Sequence, residues 1–288
     1  MPTFGRNGCI MPVQTSAVDG VLHRRGARGF RPRGGGFTLV ELLSVVAIIV
    51  ALVSLALPVA GSMRQRARAA TCLSNIRSLQ LASIAYSTDE AGWLIDARLP
   101  HGGIDQGSDE SFVEVLARRG YADASLIRSP LDDSPHWPSS LGGEGVPVPN
   151  SGGAFRRTSY GLNNHLSREF SPWAAVDPLK ATTRLSRVPD HASTVQMLLM
   201  TPIGEFAGAD HPHVEGWGAA PDAAIIAHGE VAISAVSRDG PTTDAVSNWA
   251  FLDGHVESAA FGRVYLDESR NRLDPFVSPF FARFASAN

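Results

Sequence analysis

Between Phe37 and Leu57 the chain reads FTLVELLSVVAIIVALVSLAL, 21 residues of which only Thr38, Glu41, Ser44 and Ser54 are polar. At ~1.5 Å of rise per residue such a helix is about 31 Å long, close to the ~30 Å of a hydrocarbon core. Core helices are seldom apolar on every face over such a length. The run therefore predicts a transmembrane helix over 37–58 rather than a buried core helix. A secretory signal peptide would have a shorter apolar region, and Pro58 spoils the most obvious cleavage position, after Ala60. Cleavage after Gly61 stays open.

Charge is distributed unevenly around this run. Six Arg and one Asp fall in residues 1–36, a net of +5, so the chain's −3 leaves −8 on the remainder. A basic leader on an acidic body argues against a nucleic-acid partner, which calls for a clustered basic face. It reads better as a topogenic signal. Five Arg in 21–36 face only Arg64, Arg66 and Arg68 beyond the far end, which places the N-terminus in the cytoplasm and predicts a single pass through the inner membrane with the C-terminal domain periplasmic. The two cysteines, Cys9 and Cys72, lie far apart with no metal-ligand spacing, so neither a disulfide framework nor a zinc ribbon is expected.

Glu41 is the anomaly. A carboxylate inside a transmembrane helix costs about 2.5–3.5 kcal/mol on insertion scales, so such residues usually have a partner. A cut between Gly36 and Phe37 would create one: the new α-amine would stand four residues from Glu41, on the same helix face. The stretch Gly36-Phe37-Thr38-Leu39-Val40-Glu41, after a basic leader and before an apolar helix, resembles the prepilin family, the type IV pilins and the pseudopilins of type II secretion. The resemblance implies cleavage after Gly36 by a prepilin peptidase and N-methylation of Phe37 by the same enzyme. It further implies assembly with other pilin-like subunits, in which Glu41 pairs with a neighbour's amine. Pro58 is residue 22 counted from Phe37, where this family often carries a helix-kinking proline.

Ala69, Cys72, Leu73, Ile76, Leu79 and Tyr86 recur at three- and four-residue spacings, which predicts an amphipathic continuation over 59–92, with Gly92 as its stop signal. A globular domain over 93–288 follows. Ser108 is a candidate N-cap for a short helix ending at Gly120, and the Pro- and Gly-rich stretch 128–158 reads as a long surface loop. TSYGLNN, STVQMLLM, AAIIA, EVAISAV, NWAFL and HVESAAF are strand candidates, with Asp253-Gly254 as a two-residue hairpin turn. The expected class is α+β: a long N-terminal helix, transmembrane then amphipathic, packed on a small, mostly antiparallel, pilin-like sheet.

FLDGHVE adds a second resemblance, to prepilin-like proteins of planctomycete-type bacteria. These carry an upstream His before Asp-Gly-His-Val, and a mid-chain Cys-Pro whose Cys pairs with the helix Cys. Here the nearest upstream candidate is His228, at a longer spacing, so either the chain carries an insertion or His228 is not the equivalent residue; Ser129-Pro130 stands where Cys-Pro would be, so the resemblance leaves Cys72 without a partner.

His211, His213, His228 and His255, with Asp210, Asp253 and Glu257, raise a metal hypothesis, and Asp267, Glu268 and Asp274 a calcium one. None has a diagnostic spacing. Glu205, Asp210 and Glu215 could be imagined as a catalytic carboxylate pair, and no serine sits in a nucleophile elbow. The expectation is therefore a non-enzymatic filament subunit with no cofactor or bound metal. The alternative is a membrane-anchored periplasmic hydrolase or metal-binding protein.

Overall fold

The computed structural model describes residues 36–100, 110–173 and 182–285, with the side chains of 55–60, 284 and 285 outside that description. The chain divides into two compact units, Met1–Val53 and Ser54–Asn288. The first long helix, α1 (Leu39–Asp89), contributes to both. In the first unit every side chain from Phe37 to Val53 is exposed.

Among the described residues no helix is long and apolar enough to cross a membrane. This overturns the transmembrane part of the expected fold, and with it the expected single-pass inner-membrane location with a periplasmic C-terminal domain.

The second unit is α+β. A four-stranded antiparallel sheet has the order β1 (Tyr160–Leu162), β2 (Val195–Leu199), β3 (Val246–Phe251), β4 (Val256–Ala260). One face packs on the C-terminal half of α1. Cys72, Ile76, Leu79 and Tyr86, spaced to fall on one side of the helix, form a core with Tyr160, Leu162, Met197, Leu199 and Ala250. Buried amides tie the two layers: Gln80 Nε2 donates to Gln196 Oε1 at 2.7 Å, and Gln196 Nε2 donates to Ser83 Oγ at 3.0 Å. A register shift between Val195 and Met197 marks a bulge, which lets Gln196 and Met197 both serve the α1 side. The opposite face packs Val195, Leu198, Trp249 and Phe251 against Trp217, Phe261 and the short helix α3 (Asp222–His228). Helix α1 stops where Ala91 and Gly92 take positive φ and the Gly92 N–H donates to Ser87 O at 2.7 Å.

Several local expectations change. The helix predicted to start at Ser108, which lies outside the described residues, is α2 (Phe112–Arg118). Its N-cap is Ser111, because Glu114 three residues on completes a capping box. AAIIA forms α3 instead of a strand. Its buried residues, Ala223, Ala224 and Ala227, have helical spacing, and alanine is the strongest helix former. EVAISAV contributes a single bridge, Val231 to Met200. The β3–β4 hairpin forms at Asp253-Gly254, but its loop holds three residues: Phe251 N–H donates to His255 O at 3.0 Å, and Gly254 sits at φ 96°. The 128–158 stretch is not simply surface, since Asp132, His136, Trp137 and Arg156 are buried.

After β4 the chain forms a two-stranded ribbon, β5 (Tyr265–Asp267) with β6 (Arg270–Asn271), and then helix α4 (Ser278–Ala285).

Candidate functional site

The segment picked out by sequence, Gly36–Glu41, closes on itself. Thr38 N–H and Oγ1 both donate to Glu41 Oε2, at 2.8 and 2.9 Å, and Glu41 N–H donates back to Thr38 Oγ1 at 3.2 Å. This is a capping box, Thr-x-x-Glu, at the start of α1. The backbone and side-chain hydrogen bonds from Thr38 hold the Glu41 carboxyl below its usual range. Both bonds fall on Oε2, so Oε1 has no hydrogen-bond partner among the described residues. Phe37 is 86 % exposed. Pro58 lies inside α1, its side chain outside the described set.

Most of the residues raised for a metal or for catalysis do not converge; Glu215, Glu268 and Asp274 alone come to one cavity. Asp210 is fully buried and accepts the backbone N–H groups of Arg98, Leu99 and Phe112, so it staples three chain segments. His211 stacks on Phe170, with centroids 3.7 Å apart. His255 Nδ1 lies 2.5 Å from Asp253, with its ring stacked on Phe251. Glu257 accepts from Arg272 at 2.6 Å, Glu205 accepts from Asn150, and Asp267 accepts from Arg270 and Ser269. His228 belongs to α3. Among the described residues no group of three or more His, Cys, Asp or Glu side chains is placed to hold a metal ion.

His213 and Glu215 do meet, Nδ1 to Oε1 at 3.0 Å. The bond to Glu215 raises His213 above its usual value, against the opposing effect of burial. Burial pushes the Glu215 carboxyl up, but hydrogen bonds from His213 and Asn164 outweigh it and leave the group below its usual range. Glu230 accepts from His213 N–H at 2.6 Å and Trp217 Nε1 at 3.0 Å, yet burial still raises it.

Glu215 also lines a cavity of about 460 Å³ that no sequence motif announced. Its walls come from four separated segments. His165 sits in a one-turn helix, Asn164–Leu166, capped by the Asn163 side chain. The Asn163 amide donates to Val195 O and to Leu273 O, at 2.8 and 2.6 Å, which ties this turn to β2 and to the chain beyond β6. Asn271 shapes the far wall: its amide donates to Asp267 O and Glu268 O, and its oxygen accepts Leu273 N–H and Asp274 N–H. Tyr265 donates to Gly218 O at 2.9 Å, and burial, with Glu268, Asp267 and Glu215 nearby, pushes its hydroxyl up to about 12.

Cys72 is a buried free thiol; burial raises its pKa, while the nearby Ser129 and Asn248 side chains act the other way. Ser129 is thus a neighbour of Cys72 in space. Missed altogether was Arg156, 1 % exposed, which donates to Asp132 Oδ2 and to the carbonyls of Met200, Thr201 and Ala207. No family model, no curated protein and no solved structure matches this chain.

Proposed function

We propose that this chain is a prepilin-like subunit, cut between Gly36 and Phe37 by a prepilin peptidase/N-methyltransferase and assembled with similar subunits into a secretion pseudopilus or pilus-like fibre. The observation that carries the reading is Glu41 Oε1. It is an exposed carboxylate oxygen without a hydrogen-bond partner among the described residues, at the start of a helix whose apolar side chains from Leu39 to Val53 are exposed all round. Apolar surface of that extent favours association, at about 25 cal/mol per Å² removed from water. A neighbour's α-amine is the partner that an acid in such a bundle calls for.

The test is twofold. Mass spectrometry of the mature protein should find methylated Phe37 as its first residue; any other first residue overturns the reading. Glu41→Ala should still be cleaved but should fail to enter fibres, and unchanged incorporation would count against the role given to this carboxylate.

A further inference from the structure

The cavity beside Glu215 has a chemical signature of its own, independent of the filament reading. Glu215, Glu268 and Asp274 line it, and no Lys or Arg stands among its described lining residues. His165, 5 % exposed, lines it too. The indole Nε1–H of Trp173 donates to His165 Nδ1 at 3.1 Å. An indole nitrogen can only donate, so Nδ1 is the acceptor and the neutral ring carries its proton on Nε2. That N–H has no hydrogen-bond partner among the described residues. Burial lowers the imidazole's pKa, which keeps it neutral and donating. That N–H therefore faces the cavity as an open donor, and an occupant can supply its acceptor. Trp173 and Phe276 add aromatic surface of the kind that receives a cation.

The occupant must therefore bring a positive charge for the carboxylates and, close by, an uncharged oxygen for His165. A metal ion supplies no acceptor, and the carboxylate of a free amino acid would be repelled by three acids. We propose that this cavity binds the free amino end of a peptide, its ammonium received by Asp274 and Glu268 and its first carbonyl oxygen accepting from His165 Nε2–H. The volume lies within the ~300–1,000 Å³ common for small-ligand pockets.

Calorimetric titration of the full chain with glycylglycinamide tests this. Saturable binding is expected, weakened at least tenfold when the probe's amine is acetylated, and at least tenfold by Asp274→Asn. Glu268→Gln, at an exposed position, should weaken it severalfold without touching the fold. The proposal is overturned by no saturable binding up to ~10 mM probe, ten times a 1 mM Kd. Equal binding of propylamine, which lacks the carbonyl, or of glycine, which carries a carboxylate, overturns it as well. So does affinity unchanged in both variants.

Discussion

Thr38 and Glu41 cap one another: the Thr38 N–H reaches Glu41 Oε2 at 2.8 Å while the Glu41 N–H reaches the Thr38 hydroxyl at 3.2 Å. The acid singled out for pairing with another chain is thus already half engaged within its own. Thr38 lowers the pKa of Glu41, so the contribution of the cap is present above the unfolded value of 4.5 and is lost as pH falls through the lower folded value. NMR of Thr38 and Glu41 amides should show a cap intact near neutrality and frayed in acid. Glu41→Gln should abolish the titration, and the same acid transition in that variant would show that another group is responsible.

Cys72 and Ser129 are in side-chain contact. Ser129→Cys should form a disulfide with Cys72 under oxidising conditions, seen as a joined peptide pair in a non-reduced digest. Closing a loop of that size should stabilise the fold by about 2–4 kcal/mol. Persistence of two free thiols at these positions under oxidant would show that the contact is not held.

Arg156 and Asp132 form an ion pair with side-chain exposures of 1 % and 4 %. Arg156→Met strands a buried carboxylate and three carbonyls, so urea denaturation should show a loss of about 3–5 kcal/mol. Arg118→Met, which breaks an exposed pair with Glu110, should cost under about 1 kcal/mol. Similar losses in the two variants would refute the ranking.

His213 has a raised pKa through its bond to Glu215. A raised imidazole contributes stability that is full below the unfolded value of 6.5 and disappears as pH rises through the folded one. The thermal midpoint of the wild type should therefore decline over that window relative to His213→Gln, whose own profile should be flatter there. Parallel profiles would remove this pair from the account.

The sequence by itself determined features whose cause is local. Spacing alone identifies the α1 stripe of Cys72, Ile76, Leu79 and Tyr86, because a 3.6-residue period brings those positions to one side. Gly92 ends the helix, and Asp253-Gly254 turns the hairpin, because each supplies a positive φ that other residues resist. Three decisions belonged to the tertiary structure. AAIIA is apolar enough for either helix or strand, and packing under Trp217 settles it. Arg156 gains partners 24, 44, 45 and 51 positions away, which no window of sequence contains. The cavity at His165 is framed in part by Asn163, which bonds to a carbonyl 110 residues on. Periodicity tells which side of an element avoids water. Which elements meet across that side depends on bulges, buried polar pairs and shape, and these appear only when distant segments are brought together.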